Sequence, residues 1–61
     1  MKDETIAYSV RIYLEYSDIW HEVQEFAFRS DAIAFAQEIS KSCECKVIEK
    51  ITVITEEEIV Y

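Results

Sequence analysis

Thr5-Ile6-Ala7-Tyr8-Ser9-Val10-Arg11-Ile12-Tyr13-Leu14-Glu15-Tyr16 places an apolar residue at every even position. Thr5, Ser9, Arg11 and Glu15 stand between them, with Ala7 and Tyr13 as exceptions. A period of two over that length predicts a long β-strand, roughly Thr5–Tyr16, with one buried face. Its even residues specify the core side of a sheet. Its odd residues specify a second, polar side on which Tyr13 is the one aromatic.

Outward from this strand, Ser17-Asp18 breaks the pattern and a second strand runs roughly Ile19–Phe28. It has no single clean face. A two-residue turn at Ser17-Asp18 puts Ile19, His21 and Val23 on the core side and leaves Phe26 and Phe28 outside. Two exposed Phe beside a helix start is unfavourable. A β-bulge near Gln24-Glu25 resolves the conflict and brings Val23, Phe26 and Phe28 inside. A three-residue turn would instead bury Trp20, Phe26 and Phe28, together with Glu22 and Gln24. The bulge is the better solution, and it sends Tyr13 and Trp20 to the open face.

Ser30-Asp31 reads as a helix start. The Ser30 hydroxyl can accept a hydrogen bond from an N2 or N3 amide, and Asp31 suits the positive end of the dipole. Ala32, Phe35, Ala36 and Ile39 follow at i, i+3, i+4 and i+7, one apolar stripe with small residues for close approach. Lys41 complements the C-terminus and Ser42 ends the helix. A third strand is expected over roughly Glu44–Thr55. Cys45, Val47, Ile51 and Val53 point inward there, Ile48 and Ile54 point to the other side, and Glu49 is the misfit. Glu56-Glu57-Glu58-Ile59-Val60-Tyr61 either frays or extends it.

The expected fold is therefore α+β, with element order β-β-α-β, over a single domain, residues 1–61. The cleanest strand goes in the centre. This gives a three-stranded antiparallel sheet of order 2-1-3 with one helix packed on one face. A helix of ~13 residues spans ~20 Å. A strand of ~12 residues spans ~40 Å. One helix cannot cover such a sheet, so Leu14, Tyr16 and Ile19 at the far end of the hairpin stay uncovered. A second copy of the chain is the simplest cover.

Composition points the same way. The chain has 61 residues, half of them apolar, a net charge of −7, two cysteines, and neither Gly nor Pro. A domain this short buries only ~60% of its unfolded surface and is marginal alone. Two cysteines make no disulfide framework, which leaves a homodimer or a permanent partner as the supplement. Without Gly or Asn the tight primed turns are disfavoured, so turns must be longer or of type I. Phosphate-cradling Gly loops are excluded. The six basic residues are scattered, which argues against direct nucleic-acid binding. Acidity favours a basic protein partner or solubility. No apolar run reaches the roughly 20 residues of a membrane span. The acidic start Met1-Lys2-Asp3-Glu4 does not read as a secretory leader, so the expected compartment is the cytoplasm, with Cys43 and Cys45 reduced.

The chemistry-bearing residues are few. Cys43-x-Cys45 with the single His21 is too small a set for a closed zinc site within one chain. The cysteines read as small, buried apolar side chains, or as part of a site shared across a dimer. His21 beside Glu22 and Glu25 lacks the spacing of a triad and reads as a surface feature. Glu15, Asp18, Glu22 and Glu25 form either a solvated, edge-protecting strand face or an acidic surface for a basic partner. Tyr13 and Trp20 form either a simple cross-strand pair or, ringed by charge, an interface hot spot.

The segment Trp20–Phe28, leading into Arg29-Ser30-Asp31-Ala32-Ile33-Ala34-Phe35-Ala36, and the Glu-rich end resemble the small acidic proteins encoded by bacteriophages of Gram-positive bacteria. The resemblance is one of general cast and covers most of the chain. Many such proteins inhibit host machinery, antiviral defence included. The resemblance thus implies a binding protein and brings no catalytic residues with it.

The resulting expectation is a non-enzymatic interaction module, a homodimer, that binds and blocks a host protein with a basic surface. Tyr13, Trp20, Arg11, Glu15 and Glu22 carry the contact, with no cofactor and no metal. The alternative is a small-molecule binder that sequesters a nucleotide signal between subunits, with Arg11 or Arg29 meeting phosphate. A third reading is a regulatory subunit of a host complex.

Overall fold

The computed structural model describes residues 5–51 and 55–61. Its elements are β1 (Ala7–Leu14), β2 (Ile19–Phe26), α1 (Arg29–Ile39), β3 (Cys45–Lys50) and β4 (Glu56–Ile59). All neighbouring strands are antiparallel, in the order β2-β1-β3-β4. The fold is α+β, with one helix on a four-stranded sheet.

The expected third strand, Glu44–Thr55 of a three-stranded sheet, ends at Lys50, and a fourth strand follows it. The chain folds back after Lys50, where the Ile51 amide donates to the Thr55 carbonyl at 2.9 Å. The Glu-rich end is β4. Two gains account for the reversal. Backbone groups on the outer edge of β3 acquire partners, and Ile59 is buried opposite Val47. Val53 and Ile54 lie outside the described residues.

Val10 on β1 and Val47 on β3 face each other in register and are fully buried. Ala32 and Ala36 of α1 are also fully buried against this pair, and Tyr8, Phe26, Phe35, Ile39 and Cys45 surround them. The Phe26 and Phe35 rings lie 5.3 Å apart at 54°, the tilted geometry that aromatic pairs favour. The alanines bring the helix backbone close to the sheet, as the stripe predicts.

The helix ends differ from expectation. Phe28, extended at φ −120°, is the N-cap and supplies no side-chain hydrogen bond. Ser30 lies inside the first turn, beside Asp31. Helical geometry begins two residues earlier than a Ser30 cap would set it, because the Ala32 amide already reaches the Phe28 carbonyl at 3.2 Å. At the other end Lys41 pairs with the Glu38 carboxylate at 3.1 Å. The Ser40 and Cys43 amides satisfy the carbonyls of Ala36 and Ile39.

The hairpin loop spans residues 15–18, since Leu14 pairs with Ile19. It is longer than a two-residue turn, as a chain without Gly requires. The Ser17 and Asp18 amides both donate to the Leu14 carbonyl, and Asp18 takes the left-handed conformation at φ 56°. Asp tolerates that region better than most residues because its short side chain bonds locally.

The bulge is present, at Val23 rather than at Gln24-Glu25. Val10 pairs with Gln24 and Arg11 with Glu22, leaving Val23 unmatched. Phe26 reaches the core and Trp20 faces away from the helix, as expected. Val23 and Phe28 do not go inside: they are 42% and 68% exposed. Val23 is itself the extra residue and falls out of the alternation, and Phe28 is occupied as the helix cap.

The structure is 41 Å long, while α1 covers only ~16 Å at 1.5 Å per residue. The hairpin end projects beyond it, with Ile19 54% and Tyr16 86% exposed. Ala36→Leu should cost about 1–3 kcal/mol through overpacking at the helix–sheet contact. Phe28→Ser should stabilise the fold by about 0.5–1 kcal/mol, because a serine at the N-cap supplies the side-chain acceptor that Phe28 lacks. Urea denaturation followed by far-UV circular dichroism measures both.

Candidate functional site

The bulge and the strand order gather a set of polar and aromatic side chains on the face away from α1. The odd residues of β1, namely Ser9, Arg11 and Tyr13, run down the middle. Glu25, Glu22 and Trp20 flank them from β2, and Lys46, Ile48 and Lys50 from β3. The six basic residues are scattered along the chain, yet three of them, Arg11, Lys46 and Lys50, meet on this face. The cause is topological: antiparallel pairing of β1 with β3 sets Arg11 opposite Lys46.

Carboxylates offset this clustering. Ser9, fully buried, donates from its hydroxyl to Glu22 Oε1 at 2.5 Å and accepts from Arg11 Nε at 3.1 Å. Arg11 Nη2 bonds Glu56 Oε2 on β4 at 3.1 Å. Lys50 Nζ bonds Glu22 Oε1 at 3.1 Å and also pairs with Glu25. These bonds tie β2, β1, β3 and β4 together across one face. The pairs are partly exposed, so each stabilises the fold by at most about 1 kcal/mol.

At the hairpin end the face becomes aromatic. Tyr13 and Trp20 are a cross-strand pair, with ring centroids 5.5 Å apart at 56°. Such pairs contribute about 0.5–1.5 kcal/mol beyond area burial. The Tyr13 hydroxyl donates to Asp18 Oδ1. That bond, some desolvation and the charge of Glu44 raise the Tyr13 pKa above 10.0. Lys46 Nζ lies 4.2 Å above the Trp20 ring centroid, a cation–π contact worth about 0.5–1 kcal/mol when exposed.

Of the five residues singled out from the sequence, Tyr13, Trp20, Arg11 and Glu22 therefore share one face. Glu15 is exposed in the hairpin loop and joins no ion pair or side-chain hydrogen bond among the described residues. Lys46, Lys50, Ser9 and Glu56 were missed. The alternation Lys46, Ile48, Lys50 was the available signal, because it runs opposite to Cys45 and Val47.

The other chemistry-bearing residues are engaged locally. His21 Nε2 lies 2.8 Å from Ser17 Oγ, and that hydroxyl is also 3.1 Å from the Leu14 carbonyl. A hydroxyl has one proton. If it donates to the carbonyl, it accepts from the imidazole N–H, a bonding pattern that clasps the turn rather than activating a nucleophile. Cys43 and Cys45 are free thiols, directed at the carbonyls of Ile39 and Ala36. Burial first, then a hydrogen bond with Cys45, raises the Tyr61 pKa above 10.0. Among the described residues no three His, Cys, Asp or Glu side chains group to hold a metal, and no helix is long and apolar enough to cross a membrane.

The network makes a pH prediction. The Ser9 hydroxyl first, then Lys50 and Arg11, lower the Glu22 pKa below 4.5. Its contribution is fully present above that value and is lost as pH falls through the lower folded value. Lys50 is raised above 10.5 by Glu25 and then Glu22, so its contribution is present below 10.5 and lost as pH rises through the folded value. Glu22→Gln should flatten the acid limb of a urea-stability profile below pH 4.5 relative to the parent chain.

Comparison with family models, with curated proteins and with solved structures finds no significant match to this chain.

Proposed function

We propose that this chain is a non-enzymatic protein-interaction module that binds and blocks a host protein through the open face of its sheet. The reading includes the phage-type inhibitor role, with antiviral defence as the target class, and the cytoplasm as the place of action. The observation that carries it is the Tyr13–Trp20 pair. Both rings stand partly exposed on the face opposite the helix. Large aromatics flanked by charge are the side chains that dominate interface energetics. Beside them Arg11, Glu22 and Lys50 hold one another in place, so this surface loses little side-chain freedom when a partner docks.

Homodimerisation belongs to the same reading. Leu14 and Ile19 extend past the helix on its own side of the sheet, Tyr16 is exposed in the loop beyond them, and a second copy would cover that end. A domain of 61 residues has little stability to spare without such cover. Arg11 and Glu22 position the face through their ion pairs, while Glu15 in the loop is available to a basic partner.

Tyr13→Ala and Trp20→Ala should each abolish capture of the partner from a bacterial lysate while circular dichroism shows the fold retained. Unchanged capture would remove these residues from the interface. Light scattering at micromolar concentration should give twice the chain mass of 7.2 kDa; a monomer mass would refute the dimer.

A further inference from the structure

The three cations of the open face are not held alike. Arg11 is fixed by Glu56 and Ser9, and Lys50 by Glu22 and Glu25. Lys46 has no carboxylate partner among the described residues; its contact is the face of Trp20, 4.2 Å away. The carboxylates at this end are turned to other uses. Asp18 accepts the Tyr13 hydroxyl through Oδ1, and its second oxygen has no partner among the described residues. Glu44 is exposed, and its charge acts on Tyr13. The aromatic end therefore combines a ring that already holds a cation with two carboxylates that no lysine or arginine among the described residues neutralises.

We propose that the Trp20 ring is a cation platform occupied by Lys46 in the free chain, and that an arginine side chain of the protein partner displaces Lys46 on binding. This deepens the open-face reading and rests on it. Arginine is favoured over lysine for two physical reasons. Its planar guanidinium stacks flat on an indole, and its fork of N–H donors can bond a neighbouring carboxylate while it stacks. Asp18 and Glu44 supply the carboxylates. The overall charge of −7 attracts such a partner at distance. Lys46 is the group to leave because it gives up one ring contact, whereas Arg11 or Lys50 would leave carboxylates unpaired. The displaced ammonium returns to water, where it is well solvated.

The chain has one tryptophan, so Trp20 fluorescence reports the platform directly. The probe is a short blocked peptide, acetyl-Gly-Arg-Gly-amide. The control is the same peptide with citrulline, the neutral isostere of arginine, at matched ionic strength. The arginine peptide should titrate the fluorescence and the citrulline peptide should not. Lys46→Met keeps the apolar stem and removes the competing charge. It should tighten arginine-peptide binding by roughly threefold, the equivalent of one exposed cation–π contact. Asp18→Asn should weaken it.

A readout on the unaltered chain guards against a misfolded variant. In proton NMR the Lys46 ε-methylene should be shifted upfield by the indole ring and should move back toward its free value as arginine peptide is added. Equal responses to arginine and citrulline, no tightening in Lys46→Met, or an unmoved Lys46 resonance would each overturn the exchange. The interface reading is separable. If Trp20→Ala loses partner capture while these results fail, the face binds its partner without cation exchange. If Trp20→Ala keeps capture, the interface reading itself falls.

Discussion

Phe26 and Trp20 stand six residues apart on β2, a separation that would put them on the same face of a regular strand. They lie on opposite faces because Val23 has no partner on β1. This one unpaired residue sends Phe26 to the core against Phe35 and Trp20 to the open face against Tyr13. A regular ladder would bury both rings under an 11-residue helix too short to cover them, or expose both. The bulge thus gives the chain a core and a surface aromatic cluster at once. It also sets Glu22 opposite Arg11, which places Glu22 beside Ser9 and Lys50.

The open face follows a second constraint, the disposal of charge. An excess of acid makes every carboxylate pair costly unless a cation is shared. Three of the six basic residues are spent on one face, where they link all four strands. Elsewhere repulsion persists: Glu49 and Glu57 are opposite each other on β3 and β4, an arrangement that destabilises a ladder. Glu49 instead accepts a hydrogen bond from Thr5. β4 is held by the buried Ile59, by its backbone bonds and by Arg11–Glu56, and these outweigh that like-charge pair. The apparent acidity of the whole chain therefore misdescribes this face, whose centre is balanced and whose hairpin end is acidic.

Much of the architecture was legible in the sequence for physical reasons. Strand β1 has a period that only one secondary structure satisfies. The Ala32–Ala36 spacing marks the close helix contact, and the conflict between Ile19 and Phe26 favours a bulge over a three-residue turn, which puts Trp20 beside Tyr13. The fourth strand was not legible. Its turn carries no Gly or Pro, and Glu56-Glu57-Glu58 reads as a solvated tail until Ile59 is seen opposite Val47. The ion pairs were hidden because they join residues 28 and 45 positions apart. Such pairs depend on register, and register in β3 follows from Val47 meeting Val10, not from the charges. The helix cap was misassigned to Ser30 because a favourable side chain two residues late cannot compete with a backbone already turning at Phe28.

The two faces of the sheet meet at the hairpin tip. On the helix side, Leu14 and Ile19 run past the last turn of α1. On the open side, Tyr13 and Trp20 occupy the adjacent register positions. The four-residue loop joining them is closed by bonds to Leu14 and Asp18 rather than by glycine, so the tip is a shaped element. Apolar area on one side and an acidic aromatic platform on the other favour different occupants. Uncharged apolar surface suits a second copy of the same acidic chain, which would be repelled from the Asp18–Glu44 side. The platform suits a cationic group. On the reading proposed above, like-charge repulsion and cation affinity would sort self-association and partner binding to opposite faces of one hairpin.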